Sequence, residues 1–77
     1  MKILINKPVE KLIYKDYYLD RNEILKDGLI ITQKELISPM RTRFETNLTR
    51  REPHIAFQND NGVKFIPIKD IISIEYY

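Results

Sequence analysis

The chain has 77 residues, 13 basic and 11 acidic groups, one histidine and no cysteine. A single domain of this size buries only about 60% of the surface its unfolded form exposes. Its composition excludes a disulfide framework, a thiolate metal site and a thiol nucleophile. One histidine cannot build a histidine-rich metal cluster, so neither a metal nor a cofactor is expected. Without cysteines or a leader, the expected compartment is the cytoplasm.

In chain order, "MKILI" (1–5) is a short β-type run, cut off by Asn6, Lys7 and Pro8. It falls far short of a signal-peptide core or a membrane span. "VEKLIYKDYYL" (9–19) admits two readings. Val9, Leu12, Ile13 and Tyr17 share a face if it is helical; otherwise it is a tyrosine-rich strand. Asn6 followed by Pro8 suits a helix start, and Asp20 with Glu23 forms a capping box before "ILKDG". One short helix within 8–27 is therefore expected, with Gly28 at a turn or as a helix cap.

"DGLIITQKELISP" (27–39) predicts a hairpin: Leu29–Thr32, a polar turn at Gln33–Glu35, then Leu36–Met40. A helix starting at Thr32 competes with it, but Pro39 would stop that helix after little more than one turn. Beyond lies "SPMRTRFETNLTRREPH" (38–54), where the charge collects. Residues 1–40 carry seven basic and six acidic groups, 41–54 four and two, and 55–77 two and three. All four cations of the middle segment are arginine, while lysine predominates elsewhere. The planar guanidinium suits phosphate, carboxylate and aromatic partners. Arg41, Arg43, Arg50 and Arg51, with Phe44 and His54, are accordingly candidate binding residues. Charges so sparsely matched by anions are expected to stay exposed.

"NDNG" (59–62) separates "HIAFQ" from "VKFIPI", and an Asn-Gly step between apolar-rich runs predicts a β-hairpin with left-handed backbone at Gly62. The second strand alternates Val63, Phe65 and Pro67 against Lys64, Ile66 and Ile68. With apolar residues on both faces, it is expected to be central. Pro67 lacks a donor and should break it. One helical or 3₁₀ turn at 69–71 follows, then a last strand with Ile72, Ile74 and Tyr76 on one face. Ile66, Ile71 and Ile74 are expected in the core.

The run "GVKFIPIKDIISIEYY" resembles the end of small SH3-like barrels, where a strand closes in an Ile-Pro step before a 3₁₀ turn and a short final strand. Gly62, Ile66, Pro67, Ile71 and Ile74 carry the likeness, which spans roughly the C-terminal third. "GLIITQKELIS" followed by "FIPIKDIISIE" is also similar to bacterial pleckstrin-homology-like barrels. Either resemblance implies a fold class and no functional residue. The expected fold is mainly β: a small SH3-like barrel or a strongly curved antiparallel sheet, with one short N-terminal helix. An α+β winged-helix-like arrangement is the alternative.

Chemistry beyond binding finds little support. Two isolated glycines make no phosphate loop, and serine acyl transfer would have only His54 as base. The carboxylate pairs Asp16–Asp20, Glu23–Asp27 and Asp60–Asp70 read as surface or turn residues. The chain is expected not to be an enzyme. Five tyrosines supply apolar area with polar tips, a combination enriched at protein interfaces; Tyr17, Tyr18 and Tyr77 join the candidate binding residues. The expected function is a non-enzymatic module docking on a larger protein as inhibitor, adaptor or regulator, a type common on phages and mobile elements. The alternative is DNA or RNA binding through the arginine segment 41–54. No membrane partner is expected.

Overall fold

The computed structural model describes residues 1–34 and 53–77. Five strands, β1 (Pro8–Asp16), β2 (Arg21–Lys34), β3 (His54–Asn59), β4 (Gly62–Pro67) and β5 (Ile71–Tyr76), form one antiparallel sheet of order β4-β3-β2-β1-β5. A 3₁₀ turn, Ile68–Asp70, joins β4 to β5. The fold is mainly β, as expected. The described strands do not close into a barrel, and no ladder joins β4 to β5.

Two connections show that the sheet curls strongly. Neighbouring strands lie about 4.8 Å apart, so four spacings would separate β4 from β5 by about 19 Å if the sheet were flat. A three-residue 3₁₀ turn rises only about 6 Å, yet it links them. The Lys64 ammonium on β4 also donates to the Tyr14 hydroxyl on β1, 3.2 Å away and three strands distant in the ladder. Three bulges supply local bends: Glu10 in β1, Ile31 in β2 and Ile72 in β5 are each skipped in a pairing register. An extra residue on one strand bends it and strengthens its twist.

The concave side holds the core: Val9, Leu12, Tyr14, Ile30, Ile55, Phe57, Ile66 and Ile71, with Ile3, Leu25, Ile68, Ile74 and Tyr76 packed around it. Ile66 and Ile71 thus lie in the core as expected, while Ile74 is half-buried and packs against it. The Tyr76 hydroxyl accepts from the Leu4 amide at 2.8 Å and donates to the Lys2 carbonyl at 3.2 Å. These bonds hold Ile3 against the core without a strand, so the expected β run at 1–5 is corrected: residues 1–7 lie outside the sheet.

The expected helix within 8–27 is also corrected. That stretch is a β-hairpin, paired from Pro8↔Leu29 to Asp16↔Arg21, and the described residues hold no α-helix. The bulge at Glu10 explains the misleading period. It lets Val9 and Leu12, three residues apart, both face the core. Asp20 closes the turn with φ 52° instead of capping a helix. Asp16 Oδ1 accepts from the Tyr18 and Leu19 amides at 2.9 and 3.1 Å, fixing the hairpin tip.

Further along, β2 takes in Gln33 and Lys34, two residues of the expected turn, with Gln33 opposite Ile55 and Lys34 opposite His54, while Glu35 lies outside the described residues. The second arm, Leu36–Met40, lies outside the described residues. Gly28 stands within β2 rather than at a turn, and a β-carbon there would overlap the Phe57 ring and the Gln58 carbonyl. At the other hairpin, Gly62 has φ 117° while Asp60 and Asn61 keep negative φ. The Asn61 amide donates to Asn59 Oδ1 at 2.9 Å, making the turn as the "NDNG" step predicts.

Contrary to expectation, β4 is an edge strand among the described residues. Ile66 serves the core, whereas Val63 and Phe65 are exposed on the convex side, where Phe65 meets the His54 ring edge-on at 6.0 Å. In β5, the bulge puts Ile71 in the core and turns Ile72 outward, so Ile72 does not share a face with Ile74 and Tyr76.

Candidate functional site

Between the bulges, the convex face of β2, β1 and β5 is ordered by alternation. On β1, Leu12 and Tyr14 point inward, leaving Lys11, Ile13 and Lys15 outward. Their partners on β2 are Lys26, Ile24 and Asn22, and those of Lys11 and Ile13 on β5 are Glu75 and Ser73. Side chains directly opposite in an antiparallel pair share a face. An isoleucine pair therefore sits between the Lys11–Lys26 pair on one side and Lys15 on the other, with the bulge residue Ile72 beside Ser73. Ile24 and Ile72 are each 53% exposed.

Two ion pairs frame this face, and a third, Arg21–Glu23, lies on the core side, where Arg21 stands opposite Asp16 and Glu23 opposite Tyr14. Lys11 Nζ lies 3.1 Å from Glu75, and Lys15 Nζ 3.3 Å from Asp20. Arg21 Nε lies 2.8 Å from Glu23. This hydrogen bond, with the charge of the same carboxylate, raises the Arg21 guanidinium above its ordinary value. Lys15 also sits 5.8 Å from the centre of the Tyr17 ring, near enough for a cation–π contact. It links the isoleucines to the hairpin tip, where Tyr17, Tyr18 and Leu19 are exposed in succession.

The expected binding residues scatter. Tyr17 and Tyr18, 70% and 79% exposed, stand together at the β1–β2 tip. Tyr77, also exposed, is held at the opposite end of β1: its amide donates to the Pro8 carbonyl at 3.2 Å, and its hydroxyl donates to Asp27. The fold thus separates the tyrosines into two groups at either end of one strand. His54 opens β3 with only 5% exposure, its ring edge-on to Phe65 on the convex side. Arg41, Arg43, Phe44, Arg50 and Arg51 lie outside the described residues.

Ile13, Ile24 and Ile72 were not among the expected site residues. The sequence alone places Ile13 in either a helical stripe or a tyrosine-rich strand, and Ile72 on one face with Ile74 and Tyr76. The signal was present in "KLIYK", where an isoleucine stands two residues from a lysine on either side. On a strand, such an isoleucine faces outward with them.

Among the described residues, no group of three or more His, Asp or Glu side chains is placed to hold a metal ion, and no helix is long and apolar enough to cross a membrane. No described buried side-chain nitrogen or oxygen lacks a hydrogen-bond partner. What the site offers is therefore surface: aliphatic area, aromatic tips and cations on a stiff ladder. Comparison with protein-family models, with curated proteins and with solved structures finds no match to this chain.

Proposed function

We propose that this chain is a small non-enzymatic module that binds a larger protein, as inhibitor, adaptor or regulator, through the convex face of β2, β1 and β5. The observation that carries this reading is the outward isoleucine group, with Ile24 and Ile72 exposed and Ile13 half-buried between them, continuing into exposed Tyr17, Tyr18 and Leu19 at the hairpin tip. Apolar side chains gathered on one outward face lower the free energy when a partner covers them. Tyrosines at the rim add contact area at small entropic cost. The isoleucines lie on paired strands, so little ordering of them is needed on binding.

The strand order supports an SH3-like arrangement as the finer reading of the fold. A meander of four strands is followed by a 3₁₀ turn and a fifth strand that returns to pair with the first. Such a scaffold leaves function to its surface residues.

The test is affinity capture from the cytosol of the source organism, using the parent chain beside Ile24→Asp and Ile72→Asp. The expected result is a protein retained by the parent and lost by both variants. Identical proteins on all three would remove the isoleucine face from the account.

A second reading, DNA or RNA binding by the segment 41–54, rests on its four arginines against two acids. An electrophoretic mobility shift at two salt concentrations tests it, since phosphate binding weakens steeply with salt.

A further inference from the structure

The lysines around the isoleucine pair are not balanced by the sheet itself. Lys11 and Lys26 are direct cross-strand partners, and like charges placed opposite one another disfavour strand pairing. Lys11 is drawn toward Glu75 on β5. Lys26 is exposed and makes no ion pair among the described residues. Two residues further along the ladder come Ile13 and Ile24, and two further again Lys15 opposite Asn22. Residues on one face of a strand recur about every 6.7 Å. The aliphatic centre is thus flanked at that spacing by cations on both sides.

We infer that the partner presents a sparsely acidic polypeptide surface, with apolar side chains flanked by carboxylates, one of which meets Lys26. The inference rests on the reading of this face as a protein-docking surface. Three observations select this chemistry. The centre is aliphatic, so it offers no ring on which a nucleobase would stack, and a phosphate backbone would leave Ile13 and Ile24 uncovered. Two of the three lysines already lean on carboxylates of the same chain, Glu75 and Asp20. A densely anionic ligand would meet those carboxylates, whereas a partner with few acids would not. A second copy docking face to face would set lysines against lysines.

Panning a random-peptide display library on the immobilised full chain tests the inference. One enriched peptide is then synthesised and titrated by fluorescence anisotropy against the parent, Ile24→Asp, Lys26→Gln and Lys26→Glu. All substituted positions are exposed, and circular dichroism verifies folding. The expected peptides alternate apolar residues with Asp or Glu. Affinity should fall about tenfold or more with Ile24→Asp and with Lys26→Glu, as expected for charge-assisted contacts, and less with Lys26→Gln. A peptide with its acids changed to lysine should prefer Lys26→Glu over the parent. Apolar peptides lost on Ile24→Asp yet indifferent to Lys26→Glu would overturn the acidic partner and leave the docking face standing. Peptides indifferent to both changes, or no enrichment at all, would overturn the face and the inference together.

Discussion

The Phe57 ring on β3 occupies the space beside Gly28 on β2 where a side chain would otherwise stand. Phe57 is almost fully buried and belongs to the core cluster. The glycine is thus required by close approach. Gly28→Ala should destabilise the fold by about 1–3 kcal/mol, the usual cost of overpacking. Pairing it with Phe57→Leu should recover part of that loss, because the two positions share one space. Chemical denaturation of the four proteins in the cycle measures the coupling. Strict additivity would show that the two residues do not meet.

The bulge in β5 makes adjacent isoleucines differ sharply. Ile71 lies in the core, and Ile72 is exposed. Ile71→Ala should cost about 2–5 kcal/mol, which is a large fraction of the stability of a domain this small. Ile72→Ala should stay within about 0.5 kcal/mol, as surface changes usually do. Thermal melts of the two variants side by side suffice. Equal losses would mean that the bulge lies elsewhere.

These bulges also explain how much of the fold was legible. The strand boundaries over residues 54–77 are legible, because "NDNG", Pro67 and the Ile-Pro step are local chemical signals that tertiary packing does not override. In the N-terminal half the strand signal was scrambled at Glu10, where the bulge puts Val9 and Leu12 on one side. A spacing of three in a strand looks like a helical stripe. Ile72 was misplaced for the same reason: strict period-two counting cannot pass through an extra residue. The edge position of β4 was illegible too, since it depends on β5 pairing with β1, a contact distant in sequence. Of the candidate surface, the sequence alone singles out Tyr17 and Tyr18, and both are exposed. The isoleucine face is not legible there, because it exists only once β1 and β2 are paired.

Gly62 presents the opposite case to Gly28. A β-carbon there would meet nothing within 4 Å, but φ is 117°, a backbone region that side chains of L-residues avoid. Gly62→Ala should therefore cost about 1–2 kcal/mol through backbone strain alone. A synthetic chain with D-alanine at 62 should match or exceed the parent, since a D-residue favours positive φ and restricts the unfolded chain. Equal destabilisation by L- and D-alanine would place the constraint in packing and not in the backbone.

Replacing Arg41, Arg43, Arg50 and Arg51 together by serine separates the two ligand classes. The change removes four positive charges and takes the formal net charge from +2 to −2. Residues 41–52 hold two carboxylates to match four guanidiniums, and desolvating unmatched charges is expensive. Folding should therefore be nearly unchanged by circular dichroism. If the isoleucine face carries the function, the variant should retain the captured protein, and neither parent nor variant should shift DNA or RNA at moderate salt. The nucleic-acid reading demands the reverse: a shift by the parent that fades steeply as salt rises, abolished in the variant. Four phosphate contacts would give a log–log salt slope of roughly −3.6 on duplex DNA. A slope of that size, with capture unaffected by Ile24→Asp, would move the function from the sheet to the arginine segment.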